Sequence, residues 1–444
     1  MPPTLPTPPR LHALPLWLAL VALQWLLVAN PGYFSHDELQ WGARADVASW
    51  GELPWVAWTD ASAFQWRPLT FNLWLAVSRA LFETPQAMHL AWVGMGSAVA
   101  VALGGLLLRL GAAAGPARGA ALVFALGPYA AYVHGWVATL GDLLWLGLAL
   151  ALAHAWLGGR GRGWRAPAFV ALGFGLTALA LLAKEAALAI PAVLVLGWVL
   201  RPGERTVAWT ALGSGVAGAV YLALRLDVLL APDPSHAYAL SPFSAPRHWL
   251  AYWLFPLRPT TFEIVGLWNA SAAQLAVTGA LLLGMVLMIA RRTPRLALAL
   301  VIGGTLALAP ALPLGMAANQ YGYGFWAWCV ACLALAWPAL GRPGRALLLF
   351  LALVSTWHGV NVQRAMREAG QLQAVFQPAL VAALAAKPDG VRLRAPAGNG
   401  WLFRRLSHEV QAWRGEAIGD RVAWVGGGES ADYQVTEEGR LAPP

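Results

Sequence analysis

Two adjacent carboxylates, Asp37 and Glu38, stand in the stretch Ser35-His36-Asp37-Glu38-Leu39-Gln40-Trp41, just past the first long apolar run of a chain with only 11% charged residues. A carboxylate so placed can act as a general base toward a hydroxyl group. The same residues have a local use as well: Ser35-x-x-Glu38 is a capping-box pattern, and an acid in a first helical turn favours the helix dipole. Capping accounts well for Glu38 and only in part for Asp37. Lys184-Glu185, Arg67 and Arg225 fall at the ends of apolar or helical runs, where Lys and Arg commonly serve as snorkelling or interfacial anchors. Their convergence with Asp37 on one side of the topology below marks that side as the working one. His89 and His134, at span ends, are candidates for hydrogen bonds to a ligand, although packing is the commoner role for such histidines.

The elements that must position these residues are apolar helices. With 444 residues and 59% hydrophobic content, the chain is too apolar for a soluble protein and fits a polytopic helical membrane protein. The apolar stretches are long and continuous, which disfavours a β-barrel. At about 20 apolar residues per crossing, about eleven spans are expected, with approximate limits 12–30, 87–108, 118–134, 140–157, 167–183, 186–200, 206–224, 272–290, 296–312, 323–340 and 346–359. Arg10, Arg109, Arg118, Arg160, Arg162, Arg165, Arg201, Arg205, Arg291, Arg292, Arg295, Arg342 and Arg345 then all fall on one side, the cytoplasmic one by the positive-inside rule. That placement explains the net charge of +9 without an acidic partner, and nothing points to nucleic acid. Arg10 ahead of an apolar run has the outline of a signal peptide, but Asn30-Pro31 stands where small residues would precede cleavage, so the run is expected to stay as a first span.

The N-terminus is thus expected inside and the C-terminus outside. A transmembrane domain over 1–359 would carry a first outer loop (31–86) and a second long one (225–271), followed by a small α/β extracytoplasmic domain over 360–444. Within the first loop an amphipathic surface helix is expected from Ser35, with Leu39, Ala43, Val47 and Trp50 on one face, and a second from Pro68 to about Phe82. The tail is expected to hold helices over 362–386 and 401–413 and strands at Val391–Arg394 and Val422–Val425. Cys329 and Cys332 lie inside an apolar run that offers too few ligands for zinc and reads as buried packing. The 25 tryptophans include Trp41, Trp50, Trp55, Trp58 and Trp66 in the first loop, where an interfacial belt explains them without a ligand.

The order Asp37-Glu38, Trp66-Arg67-Pro68-Leu69-Thr70, Met88-His89-Leu90, Gly141-Asp142-Leu143-Leu144, Ala183-Lys184-Glu185 and Leu222-Ala223-Leu224-Arg225 resembles the GT-C superfamily of integral-membrane glycosyltransferases. The likeness is to its protein O-mannosyltransferase-like and tetratricopeptide-repeat-associated branch, and it covers roughly residues 12–330. It implies a GT-C-like fold in the membrane of a bacterium, a polyprenyl-phosphate-sugar donor, and an extracytoplasmic glycan, lipid or protein acceptor. It also implies inversion at the anomeric carbon. Asp37 takes the place of the family's first-loop acid as general base, and Arg225, Lys184 and Arg67 are the cations available to the leaving phosphate. Candidate substrate contacts are Glu38, His89, His134, Asp142, Glu185, Gln320, Tyr321 and Tyr323. Glu38 replaces the second aspartate of the paired-acid pattern, so Asp37 and Glu38 could seat a divalent metal (Mg or Mn), with few hard-oxygen ligands for it.

Two departures stand out. Where relatives carry Glu-Arg-Tyr-x-Tyr this chain has Asn319-Gln320-Tyr321-Gly322-Tyr323, and Leu140 replaces the arginine of a Gly-Arg-x-Asp pattern. Two other classes therefore stay open. One is a transporter or flippase of lipid-linked sugar, which would place charges near the bilayer midplane and show paired half-repeats. The other is a catalytically silent scaffold of the same fold. A reporter that matures only outside the cytoplasm is expected to be active when fused after residue 444 and inactive when inserted at 160–165; the reverse pattern would invert the topology.

Overall fold

The computed structural model describes residues 12–47, 49–52, 65–231, 239–254, 257, 271–407, 410, 412–414 and 416–444. Arg10, Trp55, Trp58 and much of the second long loop lie outside the described residues. α1 (Ala13–Leu23) breaks at Gln24 and resumes as α2 (Trp25–Val28), and then come α3 (His36–Val47) and α4 (Pro68–Leu81). The apolar body follows: α5 (Pro85–Arg109), α6 (Ala114–Leu126), α7 (Pro128–Gly135), α8 (Leu140–Gly161), α9 (Ala166–Ala183), α10 (Ala189–Leu200) and α11 (Arg205–Leu230). It continues through α12 (Ala245–Leu254), α13 (Ala272–Ala290), α14 (Pro294–Leu308), α15 (Gly322–Ala336) and α16 (Arg342–Ala386).

Among the described residues, seven helices are long and apolar enough to cross a membrane: Pro85–Arg109, Val137–Gly161, Ala166–Ala183, Arg205–Leu230, Ala272–Ala290, Asn319–Ala339 and Arg342–Ala386. Four shorter apolar helices accompany them, Ala13–Leu23, Ala114–Leu126, Glu185–Leu200 and Pro294–Leu308. Each predicted run overlaps one of these helical pieces, but only the seven meet the length of a full crossing. Large apolar side chains such as Leu224, Val277 and Leu353 lie exposed along them, as expected of surfaces that face lipid.

The expected span over 118–134 is two helices. Pro128 opens α7 at a position where its missing N–H is harmless, and Gly127 before it is extended, with ψ 162°. The Trp326 indole fills the space beside Gly127 and donates to the Phe124 carbonyl at 3.2 Å. α3 ends at Val47, so Trp50 falls outside the expected surface helix. α4 starts on Pro68 as expected and packs its stripe of Thr70, Trp74, Leu75 and Ser78 inward.

The C-terminal part differs most from expectation. There is no break near 360, since α16 runs unbroken for 45 residues from the apolar bundle into the tail. The tail itself holds β1 (Val391–Arg394), α17 (Gly400–Ser407), β2 (Ala412–Trp413), β3 (Glu416–Ala417), β4 (Val422–Val425), β5 (Tyr433–Val435) and β6 (Leu441–Ala442). The helix expected over 401–413 thus stops at Ser407. Arg414, with φ 47°, then turns the chain into a β2–β3 hairpin. The main sheet has the order β4-β1-β5-β6, parallel except for β6. It packs on the last third of α16, where Phe376 meets Phe403 of α17 at 5.0 Å and Trp424 of β4 at 6.4 Å.

α16 is seated by two backbone approaches that only glycine permits. A Cβ on Gly359 would fall on the Leu126 carbonyl oxygen, and one on Gly370 would fall on the Asn30 side chain. Asn30 in turn donates to the Met366 carbonyl, and the Tyr33 amide donates to Gln373 at 3.0 Å. The segment leading to Asp37 is therefore bound to α16. Gly359→Ala is expected to lower stability by about 1–3 kcal/mol through overpacking against fixed backbone. Denaturant unfolding in detergent would measure this, and an unchanged midpoint would contradict the seating.

Candidate active site

Charged groups meet at the end of the bundle where α3 and α4 lie. Lys184 sits where α9 stops, in an extended conformation (φ −162°, ψ 142°) ahead of a 3-10 turn at Glu185–Leu188. That break lets its ammonium reach Asp142, in the first turn of α8, at 2.5 Å with both groups buried. Arg67, immediately before Pro68, donates to Glu185 at 2.8 Å. Thr70 ties α4 to the same break by donating to the Ala183 carbonyl at 2.7 Å. Arg225 of α11, fully buried, lies over the Trp66 ring at 5.9 Å, and the Lys184 ammonium lies over the Tyr321 ring at 5.1 Å. Two cations, Lys184 and Arg67, thus face two carboxylates in a largely buried setting, and Arg225 is bonded to the Tyr221 side chain nearby. Such groups are costly to bury, and removing one partner of a buried pair costs about 3–5 kcal/mol.

Glu38 and Asp37, adjacent in sequence, have opposite fates. Glu38 is buried, and its carboxylate accepts the N–H groups of Phe34 and Ser35, both at 2.8 Å, and of Val137 at 2.9 Å. The bond from Ser35 is one half of the expected capping box. In the other half the Ser35 hydroxyl accepts from the Asp37 amide at 3.3 Å rather than from residue 38. Asp37 is a third exposed, accepts from the Ser35 hydroxyl at 2.9 Å, and lies 3.6 Å from Arg405 of α17 and 3.4 Å from His36. Its charged partner is therefore Arg405 rather than the three cations assigned from sequence.

Two short connectors join the two groups of charges. Val137, bonded to Glu38, precedes Asp142 by one 3-10 turn and the start of α8, about 8–10 Å of rise. On the other side, Asn319 bonds to Tyr132, which lies in the field of Asp37 and Arg405, while Tyr321 two residues on lies under Lys184. Tyr252 fixes this turn by donating to the Ala318 carbonyl at 2.8 Å and accepting its amide at 3.1 Å. Gln320, half-buried, shares the turn.

Three assigned residues belong to the core instead. His134 bonds to Gln24 at 2.6 Å and to Tyr323 at 3.0 Å, while Gln24 donates to Ser97. His89 bonds to the Gly32 carbonyl at 2.9 Å and supports the first loop from beneath. Neither histidine has a charged neighbour, whereas Tyr323 lies in the field of Asp142 while its hydroxyl bonds to His134. The proposed metal seat also fits poorly, because three N–H groups engage both Glu38 oxygens and Asp37 is paired with Arg405. Among the described residues no three His, Cys, Asp or Glu side chains cluster as ligands. Both cysteines are buried and free, and Cys329 lines an apolar cavity of about 470 Å³ with Trp253, Met285, Phe325 and Trp326, away from the charges. No protein-family model, curated protein or solved structure matches the chain.

Arg405 and Trp136 are site residues that sequence reasoning passed over, and Ser35 was read only as a helix cap. Arg405 meets Ser35 across 370 positions of sequence, and no spacing rule links such positions. The only trace was a pair of arginines, Arg404-Arg405, on a helix whose other face is apolar.

Burial pushes the Glu38 carboxyl up to about 7 from an ordinary 4.5, with three N–H groups pulling down and the Asp37 charge pushing up. The folded protein then holds this proton more tightly than the unfolded chain. The stability it contributes is complete below about 4.5 and lost as pH rises through about 7. Unfolding midpoints measured across that window are expected to fall with rising pH, and Glu38→Gln is expected to flatten that limb. An unaltered slope in the variant would assign the titration elsewhere.

Proposed function

We propose that this chain is an integral-membrane glycosyltransferase of the GT-C kind, which moves a sugar from a polyprenyl-phosphate carrier to an acceptor hydroxyl with inversion. The observation that supports it best is the pairing of Lys184 with Asp142 and of Arg67 with Glu185 where α9 stops, with buried Arg225 over the neighbouring Trp66, at the same end of the bundle as a part-exposed carboxylate. A bundle that needed only stability would fill those positions with apolar side chains at no desolvation cost. The topology that goes with this reading has about eleven crossings. Its N-terminus is cytoplasmic and its C-terminal module extracytoplasmic, in the inner membrane of a bacterium.

In the reaction, Asp37 accepts the acceptor hydroxyl proton as the oxygen bonds to the anomeric carbon. The carbon–oxygen bond to phosphate breaks on the opposite face and the electron pair leaves with the polyprenyl phosphate. Arg225, Lys184 and Arg67 stabilise the charge that gathers there, which water-excluded surroundings make more effective. Asp142 and Glu185 orient Lys184 and Arg67 and limit the cost of burying them. Gln320 and Tyr321 line the turn beside Lys184 and are the sugar-contact candidates that the geometry favours.

One observation favours the rival reading of a silent scaffold: Lys184, Arg67 and Asp37 each have a protein partner already in place. The readings part on one measurement. Purified protein supplied with polyprenyl-phosphate sugar and an acceptor mixture is expected to give a glycosylated product by mass spectrometry, and Asp37→Asn to lose at least about 100-fold in rate while remaining folded. No product from the natural sequence would favour the scaffold. Uptake into sealed vesicles without a covalent product would favour a transporter.

A further inference from the structure

We infer that Arg405 is a positioning residue for Asp37, so that the C-terminal module supplies an obligatory part of the site; this rests on the reading of Asp37 as the base. The geometry is that of a clamp. The guanidinium lies over the Phe34 ring at 5.4 Å and near Trp136 at 5.9 Å, so two aromatic faces fix its plane. Its Nε and Nη2 both donate to the Ser35 hydroxyl, at 3.3 and 2.9 Å, and Nη2 lies 3.6 Å from Asp37 Oδ2. The Ser35 hydroxyl proton goes in turn to Asp37 Oδ2 at 2.9 Å. Arg405 therefore holds the carboxylate both by charge and through the serine. A planar fork does this and a single ammonium does not.

The clamp has rigid footing on both sides. α17 is held by buried Phe403 and Leu406, and by Trp424 donating to the Ser407 hydroxyl at 2.9 Å. The hairpin after it adds a second strut, with Arg414 donating to Glu83 at 3.1 and 2.8 Å and Trp413 packed on Phe82 at 5.5 Å. Phe82 stacks on Tyr33 at 4.6 Å, just ahead of Ser35. The segment carrying Asp37 is thus enclosed by α16 on one side and by the hairpin and α17 on the other. Among the described residues, His36 and Glu38 from α3, Tyr132 from α7 and Arg405 from α17 are the titratable or charged groups that face Asp37.

The experiment compares Arg405→Gln and Arg405→Lys with the natural sequence in two readouts. Hydrogen–deuterium exchange of backbone amides 34–38 is expected to rise several-fold in Arg405→Gln, with exchange in α5 and α8 unchanged. In transfer assays kcat is expected to fall about 100-fold in Arg405→Gln and about 10-fold in Arg405→Lys, with KM for the lipid donor unchanged within about two-fold. Unchanged exchange would overturn the clamp whether or not the protein turns over. A loss carried by donor KM would make Arg405 a donor ligand and overturn the positioning role, as would an unchanged kcat. If the natural sequence transfers no sugar while exchange rises as expected, the clamp stands and the reading of the reaction fails.

Discussion

The structure around the site depends on one buried carboxylate. Glu38 gathers the N–H groups of Phe34, Ser35 and Val137, and so joins the first turn of α3 to the turn that opens α8. Each of those donors, left unmet in a buried setting, would cost about 1–3 kcal/mol, so the three bonds specify one placement of the first loop. Everything that matters chemically is fixed relative to that junction. Asp37 is the next residue back, and Asp142 with its lysine lies a turn and a half further on. Glu38, expected as a helix cap and a candidate substrate contact, fastens the whole end.

Two modes of handling charge stand side by side. The Lys184–Asp142 pair is enclosed, so its attraction is strong and its desolvation cost is high. The Arg405–Asp37 pair is a third open on each side and separated by 3.6 Å, so its attraction is weaker and more readily exchanged for contacts with a ligand. The proposed transfer would draw on both kinds: a permanent field in one part and a yielding contact in the other.

Much of this was legible in the chain. Long apolar runs mark their helices because lipid admits little else, Pro68 marks the start of α4, and sparse charges draw attention to Lys184, Glu185 and Arg67. What escaped is what depends on distant partners. His89 and His134 sit at helix ends in the sequence but are claimed by Gly32, Gln24 and Tyr323, which only the packed bundle brings near. The helix expected over 401–413 keeps its apolar spacing up to Trp413, yet the chain turns after Ser407, because a hairpin with Arg414 at positive φ seats Trp413 on Phe82. Strands of two or three residues carry no readable period, so β2, β3, β5 and β6 left no mark. Arg405 was hidden by the 370 residues between it and Ser35.

The unbroken α16 has a consequence for how this chain can change in length. Its 45 residues rise about 68 Å, more than twice a hydrocarbon core of about 30 Å. Gly359 and Gly370 are notched against fixed neighbours along the way. A helix turns about 100° per residue, so inserting or deleting one residue between those notches and Phe376 would swing the sheet, α17 and its arginine to another side of the shaft. Gains near seven or eleven residues, close to whole turns, would keep the angle but alter the height. Substitutions on the exposed face of this stretch leave that geometry intact, whereas a change in its residue count would carry Arg405 away from Ser35 and Asp37.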